Sequence, residues 1–403
     1  MKLVVALALF VGTIGAAPQA PAVAAPFDPG PAIRSAVEAH FGHWDGARHA
    51  SFERAWARYE AEAGMRGADR DATDLAATKL LASLHNGHSW FYDAAFYETR
   101  PSTAPFELQY AEGSWIATES RTPAVSNGAR LVAVDGVPAE AYFREHEDLA
   151  VASSEREARS NHMLDLVCYG VRANGAAHLQ FSGGQAFVLD NASSRASATA
   201  PCVRARWLVS RTIAYVAIPS FGDPSFERNA IQTIRNVWSA KGVVIDVRGN
   251  GGGTTPAFLM WLLADRPLPW WRETSTAPQP ARRLANGQHW PRNPRAYRGR
   301  IVLLSDERCG SSCEDFVMPM VISRRARFVG ARTKGTTGMI FTEQLDKNAE
   351  LAVGTIHESF PNGAPFEGVG IEPTDPVPLR VDDVRANRDA ALERALAIAQ
   401  GAQ

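Results

Sequence analysis

Ser311 is the side chain in this sequence whose surroundings best suit a nucleophile. It lies in residues 301–314, IVLLSDERCGSSCE, where an apolar run typical of a buried strand leads through Gly-Ser-Ser into a predicted helix. Such a turn can raise a serine hydroxyl above a sheet, and the backbone N–H of Ser312 at the helix start can bind an oxyanion. The alternative is a serine that only caps the helix. Four further segments favour the nucleophile.

Three consecutive glycines follow a second apolar run. Residues 243–263, VVIDVRGNGGGTTPAFLMWLL, predict a short β-branched strand, a loop and an apolar helix. Because glycine permits positive φ and leaves N–H groups uncovered, Gly251 and Gly252 are candidate donors of hydrogen bonds to a bound oxygen. The loop matches neither GxxxxGK[ST] nor GxGxxG, so nucleotide binding has little support.

A histidine and a carboxylate occur in two other segments. The pattern of residues 74–84 predicts a helix that ends at Asn86 and Gly87 and presents His88 on the following loop, where it can titrate near neutrality. Glu367 lies 56 positions after Ser311, in a predicted strand punctuated by Gly and Pro. A carboxylate there could orient a histidine. A strand in residues 213–223 that leads into a helix near Pro224 is expected to be architectural.

In this order, these segments resemble the serine peptidases of the C-terminal processing (tail-specific) and tricorn protease family. The resemblance extends over about residues 75–380 and is carried by LHNGHS (84–89), YVAIPSF (215–221), DVRGN (246–250), GSSCE (310–314) and EGVGIEP (367–373). It selects Ser311 over Ser312, because the nucleophile of that family lies three positions before the glutamate that opens the next helix. It implies an acyl-enzyme mechanism on peptide or unfolded protein substrates, with no cofactor.

The resemblance also separates two catalytic designs. Processing proteases pair the serine with a lysine, but aligning the glycines places Thr336 at that position and leaves Lys334 two residues early. Along a strand this is a displacement of roughly 7 Å, which is too far for a base, so Lys334 is kept only as the alternative base. The tricorn-like design implies His88 as base and Glu367 as its orienter, with Ser89 as a candidate relay between them.

The chain is expected to be an α/β protein. Residues 26–100 predict an N-terminal helical region with helices at 32–41, 52–63 and 74–84, and residues 101–205 predict a β-rich domain. Residues 128–138 within it resemble part of a PDZ domain, and a plain β-hairpin is an equal alternative. Strands and helices alternate in residues 206–403, for which the resemblance implies a ClpP/crotonase-like catalytic domain built of βαβ units. One helix is expected over 382–400.

The N-terminus and the charge favour an exported enzyme. Residues 1–25 have the layout of a signal peptide, with an early Lys2, an apolar run and small residues at 22–25. No later segment is apolar enough to cross a bilayer, so no membrane anchor is expected after cleavage, and the periplasm or the extracellular space is the expected location. A net charge of −1 and the lack of a nucleic-acid motif argue against nucleic acid as a partner. A monomer or homo-oligomer is expected.

Four cysteines in an exported chain suggest disulfides. Cys168 and Cys202 both lie in the predicted β-rich domain and form one plausible pair. Cys309 and Cys313 bracket Ser311, and a bond between them would constrain the turn, if the spacing across it satisfies disulfide geometry. The cysteines, histidines and acids show no clustering typical of a metal site, so no metal is expected.

Overall fold

The computed structural model describes residues 27–67, 69–94, 104–190, 202–209, 211–279, 284 and 286–401. The predicted signal peptide lies outside these ranges. None of the helices within them is both long and apolar enough to span a bilayer.

The N-terminal region is helical, as predicted. Its elements are α1 Gly30–His40, α2 Gly46–Ala61, α3 Ala63–Arg66, α4 Arg70–Ala82 and strand β1 Trp90–Asp93. Asp45 and Asp69 start α2 and α4 by accepting hydrogen bonds from backbone N–H groups of the first turn. The apolar faces of these helices share one core with Ala349, Leu351 and Val353, so this region packs directly on the C-terminal part of the chain.

The middle region mixes strands with helices that the sequence analysis did not foresee. It contains β2 Glu107–Ala111, β3 Ser114–Thr118, β4 Leu131–Val134, β5 Val137–Pro138, α5 Ala139–His146, α6 Glu155–Asn161, α7 Met163–Asn174, β6 Ala176–Phe181 and β7 Ala186–Asp190, with 3-10 turns at Glu147–Leu149 and Ser182–Gly184. The antiparallel sheet has the order β5-β4-β6-β7, and β4 with β5 forms the expected hairpin. Phe143 and Val167 on the helices pack against Val134 and Leu179 on the strands.

The remaining elements form the C-terminal part. They are β8 Arg204–Val209, β9 Ile213–Ala217, α8 Pro224–Asn236, β10 Gly242–Asp246, α9 Ala257–Leu263, β11 Leu268–Pro269, β12 Arg272–Thr274, β13 His289–Trp290, β14 Arg300–Ser305, α10 Ser312–Ile322, β15 Arg327–Gly330, β16 Ile340–Gln344, β17 Ala349–Gly354, β18 His357–Ser359, β19 Asp375–Pro376, α11 Val381–Arg385 and α12 Ala390–Gln400. The expected single C-terminal helix is wrong: Asn387, at φ 52°, breaks it, and Asp389 caps α12.

A six-stranded sheet positions the functional loops. Its order is β19-β15-β14-β10-β9-β8, with parallel pairing except for the antiparallel edge strand β8. Alternate residues of β10 and β14 face opposite layers: Ile245 and Leu303 pack with helices α9 and α10, and Val244 and Val302 pack against α12. Because β10 and β14 are neighbours, the loops that leave their carboxyl ends lie side by side.

The smaller sheets surround this one. Strands β1, β17 and β16 form an antiparallel sheet of order β1-β17-β16, and the pairs β2-β3, β11-β13 and β12-β18 complete the described strands. Residues 84–89, which contain His88, connect α4 to β1. The pairing of β1 with β17 therefore ties that loop to the C-terminal part.

Candidate active site

Ser311 has a backbone conformation that exposes its hydroxyl. Its φ of 55° and ψ of −129° lie outside the regions that L-residues prefer, a strain that typically costs about 1–3 kcal/mol. The Ser311 N–H donates to the carbonyl of Thr336 at 2.7 Å, which helps to hold this conformation. Although Ser311 stands at the start of α10, its side chain makes no capping hydrogen bond. The helix-cap alternative is therefore wrong, and the half-buried hydroxyl is available for chemistry.

A disulfide closes the turn around Ser311. Cys309 and Cys313 are bonded, both are fully buried, and their Cα atoms are 5.5 Å apart. The expected bond between Cys168 and Cys202 is wrong. Cys168 is buried on α7 within the core of the middle region, whereas Cys202 is exposed just before β8.

The glycine loop approaches the nucleophile as the sequence predicts. A Cβ atom on Gly252 would lie 2.6 Å from Cβ of Ser311, so only glycine fits this position without a shift. The N–H of Gly252 is already used, because it donates to Oδ1 of Asn250 at 2.9 Å. Gly251 is exposed and Ser312 begins α10, and within the described ranges neither N–H has a hydrogen-bond acceptor. These two groups can therefore receive an oxyanion.

Asn250 is a site residue that the sequence analysis did not single out. Its side-chain Nδ2 donates to the backbone carbonyl of Ile218 at 3.1 Å, and its backbone carbonyl accepts from Gly310 N–H at 3.2 Å. With the bond to Gly252, these contacts fix the glycine loop against the segments that follow β9 and β14. The DVRGN motif pointed to this residue, but nothing in the spacing indicated what its amide would contact.

His88 is held by the segment that also holds Ser311. Its ring hydrogen-bonds to the backbone of Thr337. Since this bond raises the histidine pKa, the partner is the carbonyl oxygen. Burial and the nearby charge of Lys334 outweigh it and lower the pKa of His88 to about 4. Consecutive carbonyls, of Thr336 and Thr337, thus fix the serine and the histidine.

The loop between α4 and His88 has a different turn from the one predicted from the sequence. Helix α4 ends at Ala82, and the left-handed residue that follows is His85, at φ 47°, instead of Gly87. Gly87 serves close packing, because a Cβ atom there would lie 2.8 Å from Cγ2 of Thr336.

Glu367 connects to His88 through an amide. In a turn, not the predicted strand, its Oε1 accepts from Asn86 Nδ2 at 2.9 Å and from Ser153 Oγ at 2.6 Å. Oε2 is buried and has no partner in the described part of the chain. Asn86 Oδ1 accepts from the backbone N–H of His88 at 3.2 Å. Burial raises the pKa of Glu367 to about 8, against the effect of the bonds from Ser153 and Asn86.

Ser89 lies beside this network without touching the imidazole. Its hydroxyl donates to Oδ1 of Asn86 at 2.9 Å and accepts from Gly354 N–H at 3.1 Å. Ser89 is fully buried. It therefore braces the Asn86 amide and ties the histidine loop to β17.

The middle region contributes two residues to the site. Ser153 Oγ accepts from Gly87 N–H at 2.9 Å and from Thr336 Oγ1 at 2.8 Å. Glu157 on α6 accepts from Ser153 N–H at 2.7 Å, and it shares the single hydroxyl proton of Thr336 with Ser153, at 3.0 Å from Thr336 Oγ1. No motif marks either residue in the sequence, so neither was predicted to belong to the site.

Glu314 anchors the segment that carries Lys334. It accepts from Gly335 N–H at 2.7 Å, from Thr336 N–H at 3.0 Å and from the hydroxyl of Thr333. Complete burial raises its pKa to about 8. The acid that marked the helix start in the sequence is thus a structural support of the site.

The side chain of Lys334 packs against Gly310, the residue before Ser311. Residues 331–339 form no strand, so the displacement of Lys334 expected from strand spacing does not apply. A Cβ atom on Gly310, the residue before Ser311, would lie 2.7 Å from Cδ of Lys334. The charge of Lys334 also acts on His88. In the described ranges its ammonium has no carboxylate partner.

The chain is similar to known proteins in part of its sequence and in its fold. Residues 212–377 match the sequence profile of peptidase family S41. The fold is similar to that of mature CPAF, at 14% identity and a TM-score of 0.61 over 92% of this chain and 95% of that one. It is also similar to the photosystem II D1 C-terminal processing protease, at 19% identity and a TM-score of 0.50 over 90% and 96% of the two chains. A search of curated proteins found no relative.

Proposed function

Because the chain belongs to peptidase family S41, the C-terminal processing and tricorn-like proteases, and is a serine-type peptidase, we propose that Ser311 cleaves peptide bonds through an acyl-enzyme. The substrates are peptides or unfolded proteins. The observation that carries the assignment is the strained, uncapped conformation of Ser311 beside the glycine loop, where the N–H groups of Gly251 and Ser312 have no acceptor within the described ranges.

His88 acts as the general base. With a pKa of about 4, its ring is neutral near pH 7. One ring nitrogen donates to the carbonyl of Thr337, so the other is left to accept the Ser311 proton as Oγ attacks the substrate carbonyl carbon. The N–H groups of Gly251 and Ser312 bind the oxyanion, each contributing about 3 kcal/mol of transition-state stabilisation.

Collapse of the tetrahedral intermediate breaks the peptide bond. His88 returns its proton to the leaving amine, and the acyl group stays on Ser311. A water molecule then attacks the acyl carbon, again with His88 as base, and regenerates the serine. Glu367 is a positioning residue that fixes the histidine loop through Asn86, and Ser89 supports the same amide.

Lys334 is the alternative base, favoured by its packing over Gly310 beside the nucleophile. As a base Lys334 would have to be neutral, whereas burial, together with a smaller effect of the Lys334 charge, lowers the pKa of His88 to about 4 and leaves that ring neutral near pH 7. We therefore prefer His88. A non-peptidase acyl hydrolase or a peptide-binding protein on the same fold remain the alternatives of another class.

The same proposal covers the wider protein. The parallel sheet with α8, α9, α10 and α12 is assigned as a ClpP/crotonase-like core on the alternation of its strands and helices. The β4-β5 hairpin and its neighbours are assigned as PDZ-like, and residues 1–25 as a signal peptide that directs export.

Hydrolysis of casein by the chain without residues 1–25 tests the mechanism. Ser311→Ala and His88→Ala should each lower kcat by roughly 10⁴-fold or more, while Lys334→Ala should leave clear activity. A serine-reactive fluorophosphonate should label the parent protein at Ser311 and should not label Ser311→Ala. Activity that is indifferent to Ser311 would overturn the assignment, and loss with Lys334 but not His88 would move the enzyme to the Ser-Lys design.

A further inference from the structure

Lys334 carries a charge in the active site that the proposed mechanism does not use. Its side chain runs across Gly310, and its charge reaches His88. The ammonium therefore lies near both the turn that carries Ser311 and the ring of His88. Its backbone is fixed at both ends, because its N–H donates to Cys309 O at 2.9 Å and its carbonyl accepts from Arg156 Nη2 at 2.7 Å.

Glu314 and Glu367 are held by other hydrogen bonds, and within the described ranges neither forms an ion pair with this ammonium. Glu314 accepts three hydrogen bonds from residues 333–336, and Glu367 accepts from Asn86 and Ser153. Lys334 is half-buried, and in the described part of the chain it forms no ion pair. An ammonium that is partly removed from water gains most from an anionic partner. The position next to Ser311 means that a bound substrate can supply that partner.

We propose that Lys334 binds a carboxylate of the substrate close to the cleaved bond, which makes this enzyme selective for acidic peptides. This inference rests on the proposed peptidase function. The carboxylate can be an acidic side chain or the free C-terminus of a peptide cut near its end. Both present the same two oxygens to the ammonium, and the fixed backbone of Lys334 holds the charge in place.

The test compares matched peptides. One peptide carries Glu and its partner carries the isosteric Gln, placed in turn at each of the two positions on either side of the cleaved bond. A second pair differs only in a C-terminal carboxylate or carboxamide. A charge-assisted hydrogen bond to Lys334 should raise kcat/KM for the acid of at least one pair by roughly 10- to 100-fold. The pair that responds identifies the source of the carboxylate.

Two substitutions assign the effect to the charge. Lys334→Met keeps the length of the side chain without its charge and should bring the acid-to-neutral ratio close to one, whereas Lys334→Arg should keep most of the ratio. A ratio that is unchanged in Lys334→Met would overturn the proposal. Equal loss of all peptides in Lys334→Met would also overturn it, because a general base serves every substrate alike.

A binding measurement separates this proposal from the catalytic one. Fluorescence anisotropy on the Ser311→Ala protein should give an acidic peptide a lower Kd than its neutral partner, and adding Lys334→Met should abolish the difference. This result does not depend on turnover. A catalytically inactive parent with a Lys334-dependent Kd ratio would sink the peptidase assignment alone, and an active parent with no Kd or kcat/KM preference would sink the Lys334 proposal alone.

Discussion

Replacing Glu367 by Gln should change how the stability of this protein depends on pH. The carboxyl is buried, its Oε2 has no partner in the described ranges, and burial raises its pKa from 4.5 to about 8. Below about pH 4.5 both the folded and the unfolded states carry the proton. Between pH 4.5 and 8 the unfolded state releases it and the folded state keeps it, so the free energy of unfolding falls as the pH rises.

The magnitude follows from this pKa shift. One pH unit in this window costs about 1.4 kcal/mol of stability, which sums to at most about 4 kcal/mol between pH 5 and pH 8. Gln has no proton to release, so Glu367→Gln lacks this slope. Its second amide hydrogen has no acceptor at the Oε2 position, a cost of about 1–3 kcal/mol that does not vary with pH. Glu314 titrates in both proteins, and its contribution cancels in the comparison.

Urea unfolding of both proteins at pH 5, 6.5 and 8 measures the effect. Relative to the parent, Glu367→Gln should gain stability steadily across the series. Parallel curves for the two proteins would refute the inference that the carboxyl is neutral and buried. Kinetics provide a second check, since a neutral positioning residue predicts that kcat stays within about tenfold of the parent. A charged partner of the imidazole would instead show a loss of roughly 10⁴-fold.

Three further outcomes are expected. The kcat/KM profile should fall on the acid side as the pH drops through the His88 pKa of about 4, because the base must be neutral; a limb at the ordinary value of 6.5 would contradict the burial argument. Gly252→Ala should lower kcat by roughly 100-fold or more, because its Cβ would displace the nucleophile. Gly251→Ala keeps its backbone N–H and places its Cβ in open space, so its kcat should fall little. Equal losses of kcat in the two variants would argue against steric displacement. Cys309→Ser combined with Cys313→Ser should lower kcat by roughly tenfold, since the bond no longer helps to hold the strained turn; full activity in the double variant would show that the turn is held without it.

Local patterns determined the parts of the site that are continuous in sequence. An apolar run followed by Gly-Ser-Ser predicted the turn at Ser311, and the glycines after β10 predicted the close approach to it. The three N-terminal helices and the Asp223-capped helix after β9 also follow from periodicity and capping residues. These features depend on neighbours within one or two turns of chain, and the sequence records such neighbours directly.

The tertiary structure alone decided how these parts are connected. Asn86 and Glu367 are 281 residues apart, and Ser153 and Thr336 are 183 apart, yet each pair is hydrogen-bonded in the site. The sequence could not indicate that the N–H of Gly252 already donates to Asn250, which cysteines pair or where the Lys334 ammonium lies. Each of these features depends on the direction in which individual side chains point once the middle region packs on the C-terminal part. That direction has no period along the chain, because contacts between distant segments arise only when folding brings their surfaces together.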